Sequence, residues 1–149
     1  MDMSQMPDIS LGHSDANAIA QALGDSFRTY GFAKVIDHGI DPHLSKEAWR
    51  LSKELFARTT EEKRRWYDAG IAGQRGYTPF KTEIAKGADY HDLKEFWHVG
   101  RTLPAGHPLE GEMLKNIWPD IVDGFRDVFE PLYAEFDRVG AKILSYIAI

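Results

Sequence analysis

The amino-acid sequence predicts an α+β fold that is rich in helix and carries a few short strands. Apolar residues recur at intervals of three and four in several segments, which is the spacing of one buried helix face. Short β-branched runs beside Gly or Asp indicate strands between these helices. From residue 68 to residue 103 the helical spacing disappears and glycines become frequent, so this stretch is predicted to form loops with short strands.

The first part of the chain predicts a strand, a helix and a second strand. Residues 6–11 form a short strand, and His13-Ser14-Asp15 supplies cap residues to a helix over 16–30. The β-branched run over 32–36 is followed by turn residues from Asp37 onwards. We expect this second strand to be central in its sheet.

Two further helices are predicted before the loop region. Asp41-Pro42 combines a capping residue with a first-turn proline and opens a helix that reaches Phe56. Thr59 and Glu62 match a capping box at the start of a shorter helix. Within the loop region, residues 94–99 are the most strand-like segment, but neither of their faces is wholly apolar, which favours an edge or interface strand.

The last predicted element is a long amphipathic helix over about residues 118–149. Trp118-Pro119 and Asp120 suit its first turn, and Pro131 should bend it. No glycine or basic last turn closes the helix, so we expect the chain to stop within a larger architecture. The alternative is a natural C-terminal helix docked on its own domain. The apolar residues form one stripe that must be covered: Ile121, Val122, Phe125, Val128, Phe129, Leu132, Tyr133, Phe136, Val139, Ile143, Leu144 and Ile147.

Composition excludes several classes of function. The 149 residues suffice for one domain or most of one. A net charge of −5, with both signs interspersed, disfavours nucleic-acid binding, and no stretch resembles a membrane span or an export signal. Without cysteine, a metal site would need His and carboxylate ligands. We therefore expect a cytoplasmic protein that binds neither nucleic acid nor a membrane.

Six short motifs follow one another along the chain. They are Pro7-Asp8-Ile9-Ser10-Leu11; Tyr30-Gly31-Phe32 with Val35-Ile36-Asp37-His38-Gly39-Ile40; Leu55-Phe56 before Thr60-Glu61-Glu62-Lys63; Arg75-Gly76-Tyr77; Asp92-Leu93-Lys94-Glu95-Phe96; and Asn116-Ile117-Trp118-Pro119. In type and order they resemble the N-terminal region of the non-haem iron(II), 2-oxoglutarate-dependent dioxygenases of the isopenicillin N synthase type. By this resemblance, residues 1–149 are the N-terminal domain of such an enzyme.

The resemblance implies that catalysis belongs to a double-stranded β-helix (jelly roll) that is absent from this chain. In the family that part carries a His-x-Asp and a distant His, which hold iron, and an Arg-x-Ser that grips 2-oxoglutarate. No catalytic and no metal-binding residue is therefore expected here, and the chain alone should be inactive. The full-length enzyme should use Fe(II) and 2-oxoglutarate to oxidise a small organic molecule, although some relatives oxidise without 2-oxoglutarate. The long helix should pack on the missing domain.

Two motifs of this chain formally match those elements. His13-Ser14-Asp15 matches His-x-Asp, but it lies at a helix start where capping explains it, and Arg50-Leu51-Ser52 matches Arg-x-Ser inside a helix. His38 is expected to hold backbone groups of its turn. His91 and His98 flank acidic residues, and a surface or interface role is favoured over a metal site.

By the same resemblance, three side chains of the loop region can contact substrate in a full-length enzyme. They are Arg75, Tyr77 and Lys81. Arginine suits a carboxylate because its planar fork binds both oxygens, and tyrosine offers a phenol beside an apolar ring. The alternative is that Arg75 and Tyr77 only fix the loop to the domain. Lys94 and Glu95 are predicted to form ordinary surface or interface pairs.

Two other functions stay open from the sequence. One is a stand-alone helical binding module that uses the apolar face of the last helix, a face that would also favour a homo-oligomer. The other is a small metal protein with His and carboxylate ligands, which should take up Fe(II) or Zn(II) stoichiometrically.

Overall fold

A computed structural model describes residues 6–84, 86–87 and 89–149 of the chain, and the predicted α+β fold class is confirmed. Its elements are β1 (Asp8–Ser10), α1 (Ala16–Tyr30), β2 (Lys34–Ile36), α2 (Pro42–Phe56), α3 (Thr60–Arg64), a short 3₁₀ turn (Ala69–Ile71), β3 (Gly76–Thr78), β4 (Phe96–His98) and α4 (Phe125–Ile147). The chain divides into two compact units. Unit 1 contains the residues up to Asp41 together with Glu135–Ile149, and unit 2 is Pro42–Ala134.

Unit 1 contains a small parallel sheet. β1 and β2 pair in parallel with Ile9 opposite Val35, and Ile9 is one of the buried apolar residues of this unit. The expectation that the second strand would be central was wrong, because within the described ranges β2 pairs with β1 alone. The run does form a strand in which Val35 and Ile36 are half-buried, but β-branched residues do not determine how many neighbours a strand has.

Helix α1 of unit 1 forms where the sequence predicted it. The carboxylate of Asp15 accepts hydrogen bonds from the backbone N–H groups of Asn17 and Ala18, at 3.0 and 3.2 Å, and so caps the first turn. Ile19 and Leu23 are buried on one face of the helix. The local capping signal and the apolar spacing therefore agree with the observed helix.

Unit 2 has an aromatic and aliphatic core. Leu51 and Leu55 of α2 are buried with Val122 and Phe125. The side chains packed on this cluster are Trp97, Trp118, Ile121, Val128 and Phe129. β3 and β4 form an antiparallel pair with Tyr77 opposite Trp97, so β4 carries one of these aromatic rings to the core.

Helix α4 begins at Phe125, and the prediction of a helix start near residue 118 was wrong. Residues 120–124 form bends and a turn, after which the backbone N–H of Phe125 donates to the carbonyl oxygen of Val122 at 3.3 Å. Gly124 has a φ of 74°, a left-handed conformation that cannot continue an α-helix. Pro131 lies inside the helix, as predicted.

The helices within the described ranges do not meet the requirements of a membrane span. None of them combines the length and the apolar character that a crossing helix needs.

Candidate functional site

The three predicted substrate contacts lie in and beside strand β3 of unit 2. Arg75 precedes the strand, Tyr77 is its middle residue, and Lys81 follows it. Their surroundings differ: Tyr77 is fully buried, Arg75 is half-buried and Lys81 is exposed. The three side chains are therefore close in sequence but differ in their access to solvent.

Tyr77 belongs to a buried polar cluster with Lys63 and Glu95, which we call the Lys63 cluster. The Lys63 ammonium lies 2.9 Å from the Glu95 carboxylate and donates to the backbone carbonyl of Phe56 at 3.2 Å. The Tyr77 hydroxyl donates to the same carboxylate. Lys63 is only 2% exposed, so its charge depends on these partners for compensation.

Aromatic rings enclose the ammonium of the Lys63 cluster. Its Nζ atom lies 5.6 Å from the ring centroid of Phe56 and 5.6 Å from that of Tyr77. At this distance the faces of both rings attract a cation. Lys63 is thus held by a carboxylate, a carbonyl oxygen and two aromatic rings.

The pKa of Tyr77 lies well above the ordinary value for a tyrosine. Burial is the first cause, because it disfavours the charged phenolate, and the hydrogen bond to the Glu95 carboxylate is the second. The phenol is therefore a neutral donor at physiological pH, and its proton is engaged within unit 2.

The prediction for Lys94 and Glu95 was right for the first residue and wrong for the second. Lys94 is exposed and pairs with Asp92 at 2.9 Å and with Glu83 at 3.3 Å. Glu95 instead points into the Lys63 cluster. The alternation of strand residues did place Glu95 on the same face as Trp97, and that shared face was the available signal for its burial.

Arg75 is held close to the backbone of unit 2. Its Nη1 atom donates to the carbonyl oxygen of Gln74 at 2.6 Å, and a Cβ atom at Gly100 would collide with the guanidinium. The side chain of Asn116 fixes Gly100 in turn, because it accepts from the Gly100 N–H at 2.7 Å and donates to the Gly100 carbonyl at 2.8 Å. The Nε atom of Arg75 is buried without a hydrogen-bond partner among the described residues.

Two sequence matches to family motifs have the structural roles expected of them. Asp15 caps α1, and the Nδ1 atom of His13 accepts from the Asp15 backbone N–H at 3.0 Å. Arg50 lies inside α2, where it pairs with Glu47 at 2.9 Å and with Glu54 at 3.2 Å. The capping interpretation of the first motif and the helical interpretation of the second are confirmed.

His38 and His98 also contact backbone groups. The Nδ1 atom of His38 accepts from the backbone N–H of Ile40 at 3.1 Å, which confirms the predicted role. The Nδ1 atom of His98 lies 2.7 Å from the carbonyl oxygen of Gly73. Across residues 6–84, 86–87 and 89–149, His, Asp and Glu side chains do not converge in groups of three or more that could hold a metal ion. These donors therefore do not fit a three-ligand iron centre.

Apolar side chains are exposed on the part of α4 that belongs to unit 1. Phe136, Leu144 and Ile147 are 57%, 66% and 53% exposed, whereas Val139 is buried. These residues belong to the stripe that the sequence defined, since they recur with helical spacing. The C-terminal part of α4 thus presents an apolar surface, which we call the α4 surface.

Both sheets are also narrow. Each has two strands in the part of the chain that the structure describes, and an isolated antiparallel bridge joins Tyr67 to Gly76 beside β3. In the β1–β2 sheet, each strand has one edge without a partner strand in these ranges. A two-stranded sheet is marginally stable by itself in water and gains stability from further strands or packed helices.

Comparison with known proteins connects this architecture to a class of oxygenases. Flavanone 3-dioxygenase 2 of Oryza sativa subsp. japonica is 25% identical over 145 residues, which cover 97% of this chain and 40% of that protein. Flavone synthase of Petroselinum crispum is 29% identical over 151 residues, which cover 97% of this chain and 39% of the synthase. The chain therefore spans less than half the length of these relatives.

Solved structures show the same relationship in the fold. The structure of a Caulobacter crescentus protein assigned to the 2OG-Fe(II) oxygenase family superposes with a TM-score of 0.81 at 41% identity. The match covers 97% of this chain and 48% of that protein. The fold is thus that of the N-terminal part of a non-haem oxygenase.

A family model fixes the assignment. The model for the N-terminal region of the non-haem dioxygenases in morphine synthesis matches residues 2–121, and the chain belongs to this family. Enzymes of the family use Fe(II) and 2-oxoglutarate. The resemblance drawn from the six sequence motifs is confirmed.

Proposed function

We propose that this chain is the N-terminal framework domain of a cytoplasmic, Fe(II)- and 2-oxoglutarate-dependent dioxygenase that oxidises a small organic molecule. We further propose that it is inactive without a C-terminal catalytic domain. The observation that carries the proposal is the coverage, because 97% of the chain matches relatives of which it spans only 39% and 40%.

The α4 surface supports a framework role. Burial of one Leu or Ile side chain contributes about 1.5–3 kcal/mol, so covering Leu144 and Ile147 would stabilise a domain contact appreciably. The unpaired edges of the β1–β2 sheet offer further backbone groups to such a contact. The occupant we propose is the catalytic β-helix domain.

In the complete enzyme we propose that Lys81 and Arg75 contact the substrate directly. Lys81 is exposed beside β3, and Arg75 keeps donors beyond the one that bonds to Gln74. Tyr77 would act by positioning this segment, because its hydroxyl is engaged with Glu95. When bound by the catalytic domain, Fe(II) and 2-oxoglutarate supply the oxidising chemistry, and this chain supplies substrate contacts and support.

The test compares the chain with the complete protein that carries it. Purified protein is incubated with Fe(II), 2-oxoglutarate, O₂ and ascorbate, which supplies the two electrons that the organic substrate would otherwise provide, and the formation of succinate is measured. The complete protein should form succinate and the 149-residue chain alone should not. Turnover by the chain alone, or none by a complete protein that binds 2-oxoglutarate, would reject the proposal.

The substrate contact has its own test in the complete protein. Arg75→Ala should raise KM for the organic substrate and leave KM for 2-oxoglutarate unchanged. The reason is that the guanidinium is proposed to contact the organic substrate and not 2-oxoglutarate. Arg28→Ala is the matched control, since Arg28 is exposed and forms a local surface pair with Asp25. Equal substrate KM values in both variants would instead support a role in fixing the loop.

The α4 surface also favours a second candidate, a stand-alone module that binds a partner or a second copy of itself. Exposed apolar side chains of this kind mark interaction sites in soluble proteins. Reading the coding frame beyond Ile149 separates the two functions. A His-x-Asp followed by an Arg-x-Ser supports the oxygenase domain, whereas an immediate stop codon supports the module.

A further inference from the structure

A cleft in unit 2 has the features of a small-molecule site that none of the assignments above uses. It has a volume of about 290 Å³. Its cationic side chains are Arg101, Lys115 and Arg126, and its apolar wall includes Trp118 and Met113. Clefts that combine an apolar wall with a few charged groups are the usual form of ligand sites.

The two carboxylates of the cleft are already engaged. Glu130 accepts from the Thr102 hydroxyl at 2.6 Å and from Nε of Arg126 at 2.9 Å, and these two bonds hold the pKa of Glu130 below its usual value. Glu110 accepts from the backbone N–H of Gly106 at 2.7 Å. Neither carboxylate therefore needs a cation from a ligand.

Donors remain available on Arg126 and Lys115. The bond from Arg126 to Glu130 uses Nε, and a guanidinium carries four further N–H donors. Lys115 is exposed and forms no ion pair with another residue of the described ranges. The cleft thus carries a net positive charge in a chain whose net charge is −5.

The polar side of the cleft is fixed in place. Asn116 bonds to both backbone groups of Gly100, and its Nδ2 atom lies 3.3 Å from the Thr102 hydroxyl. Thr102 in turn holds Glu130 of α4. This side of the cleft is therefore ordered before a ligand binds, which lowers the entropic penalty of binding.

We propose that this cleft binds a small organic carboxylate with a planar apolar body. Lys115 and Arg126 receive the carboxylate, since both keep donors and carry positive charge. The indole of Trp118 and the side chain of Met113 contact the planar body. The proposal does not depend on the oxygenase function, because it rests on this cleft alone.

The probe is 2-naphthoate, titrated by calorimetry into the complete protein that carries this chain. Lys115→Glu should weaken its binding about tenfold or more, because a charge-assisted hydrogen bond is replaced by repulsion. Lys94→Glu is the matched control, an exposed lysine elsewhere in unit 2, and should bind as the parent protein does. Lys115 supports no ion pair among the described residues, so the variant should fold normally.

Two further probes separate the parts of the proposal. Uncharged 2-naphthamide should bind much more weakly than 2-naphthoate if the carboxylate is recognised, and acetate should bind weakly if the planar body is needed. Trp118→Leu should weaken the binding of 2-naphthoate and leave the affinity for acetate unchanged. Equal binding of amide and carboxylate, or an unchanged affinity in Lys115→Glu, would overturn the proposal.

Discussion

The two parts of helix α4 carry one apolar stripe but meet different surroundings. In unit 2, Phe125 is buried and stacks on Phe129 with ring centroids 4.1 Å apart, and Trp97 packs against it at 5.5 Å. In unit 1, Phe136 and Leu144 of the same stripe are exposed. The spacing of apolar residues therefore predicts the helix and its apolar face, but it does not determine whether the residues that cover this face belong to the same chain.

Polar groups repeat this contrast. In unit 2 the Lys63 cluster encloses a charge with a carboxylate and a phenol. In the unit 1 part of α4, Arg138 and Glu135 pair at 2.6 Å on the surface, where water already solvates both groups. The Lys63 cluster thus compensates its buried charge within unit 2, while the α4 surface leaves apolar groups for another surface to cover.

The largest expected effect comes from breaking the Lys63 cluster. Lys63→Met removes the ammonium and leaves the Glu95 carboxylate partly buried without its cation, so the free energy of unfolding should fall by about 3–5 kcal/mol. Urea unfolding of the purified protein measures this change. Lys94→Met is the control, because it removes a lysine whose pairs are exposed, and it should leave the urea midpoint unchanged. Equal effects of the two variants would show that unit 2 is not self-contained.

The second prediction compares two leucines directly. Leu55→Ala opens a cavity in the core of unit 2 and should lower the free energy of unfolding by about 2–5 kcal/mol. Leu144→Ala should change it by less than about 0.5 kcal/mol in the 149-residue chain, because that side chain is exposed. In the complete protein Leu144→Ala should become clearly destabilising. A small effect there as well would contradict the proposed cover of the α4 surface.

Local signals in the sequence predicted much of the fold. Asp15 caps α1 as expected, and Thr59 forms a capping box with Glu62 at the start of α3. Both depend on neighbours within a few residues, so the sequence contains all the necessary information. The start of α4 was predicted too early because Trp118-Pro119 has the residue types of a first helical turn. The overlooked signal was Gly124, which lies inside the apolar pattern and has a positive φ.

The site was harder to predict because its contacts are distant in sequence. Lys63 and Glu95 are 32 residues apart, and charged side chains are ordinarily assigned to the surface. Only the fold shows that α3 brings Lys63 to Glu95, the residue before β4, and that Tyr77 donates to the same carboxylate. Arg75, Tyr77 and Lys81 lie in one segment, but their different burial depends on packing that no local pattern encodes, and their contact with substrate stays a prediction.

The third prediction concerns the pH dependence of the Lys63 cluster. Burial and the hydrogen bond to Glu95 raise the pKa of Tyr77 in the folded protein, whereas in the unfolded chain a tyrosine ionises at about pH 10. The stabilisation is therefore fully present below about pH 10, and it should be lost progressively as the pH rises above that value, since only the unfolded chain then releases the proton.

Tyr77→Phe tests this dependence and should also lower the free energy of unfolding by about 1.5–3 kcal/mol near neutral pH, because a hydrogen bond to a charged group is lost. Urea unfolding between about pH 8 and pH 11 should show a smaller decline in this variant than in the parent protein. Tyr90→Phe is the matched control: Tyr90 is 83% exposed, so its removal should leave the decline unchanged. If the parent and Tyr77→Phe lose stability in parallel across this range, the folded structure does not hold the Tyr77 phenol protonated. Unit 2 would then not compensate the buried groups of the Lys63 cluster by itself.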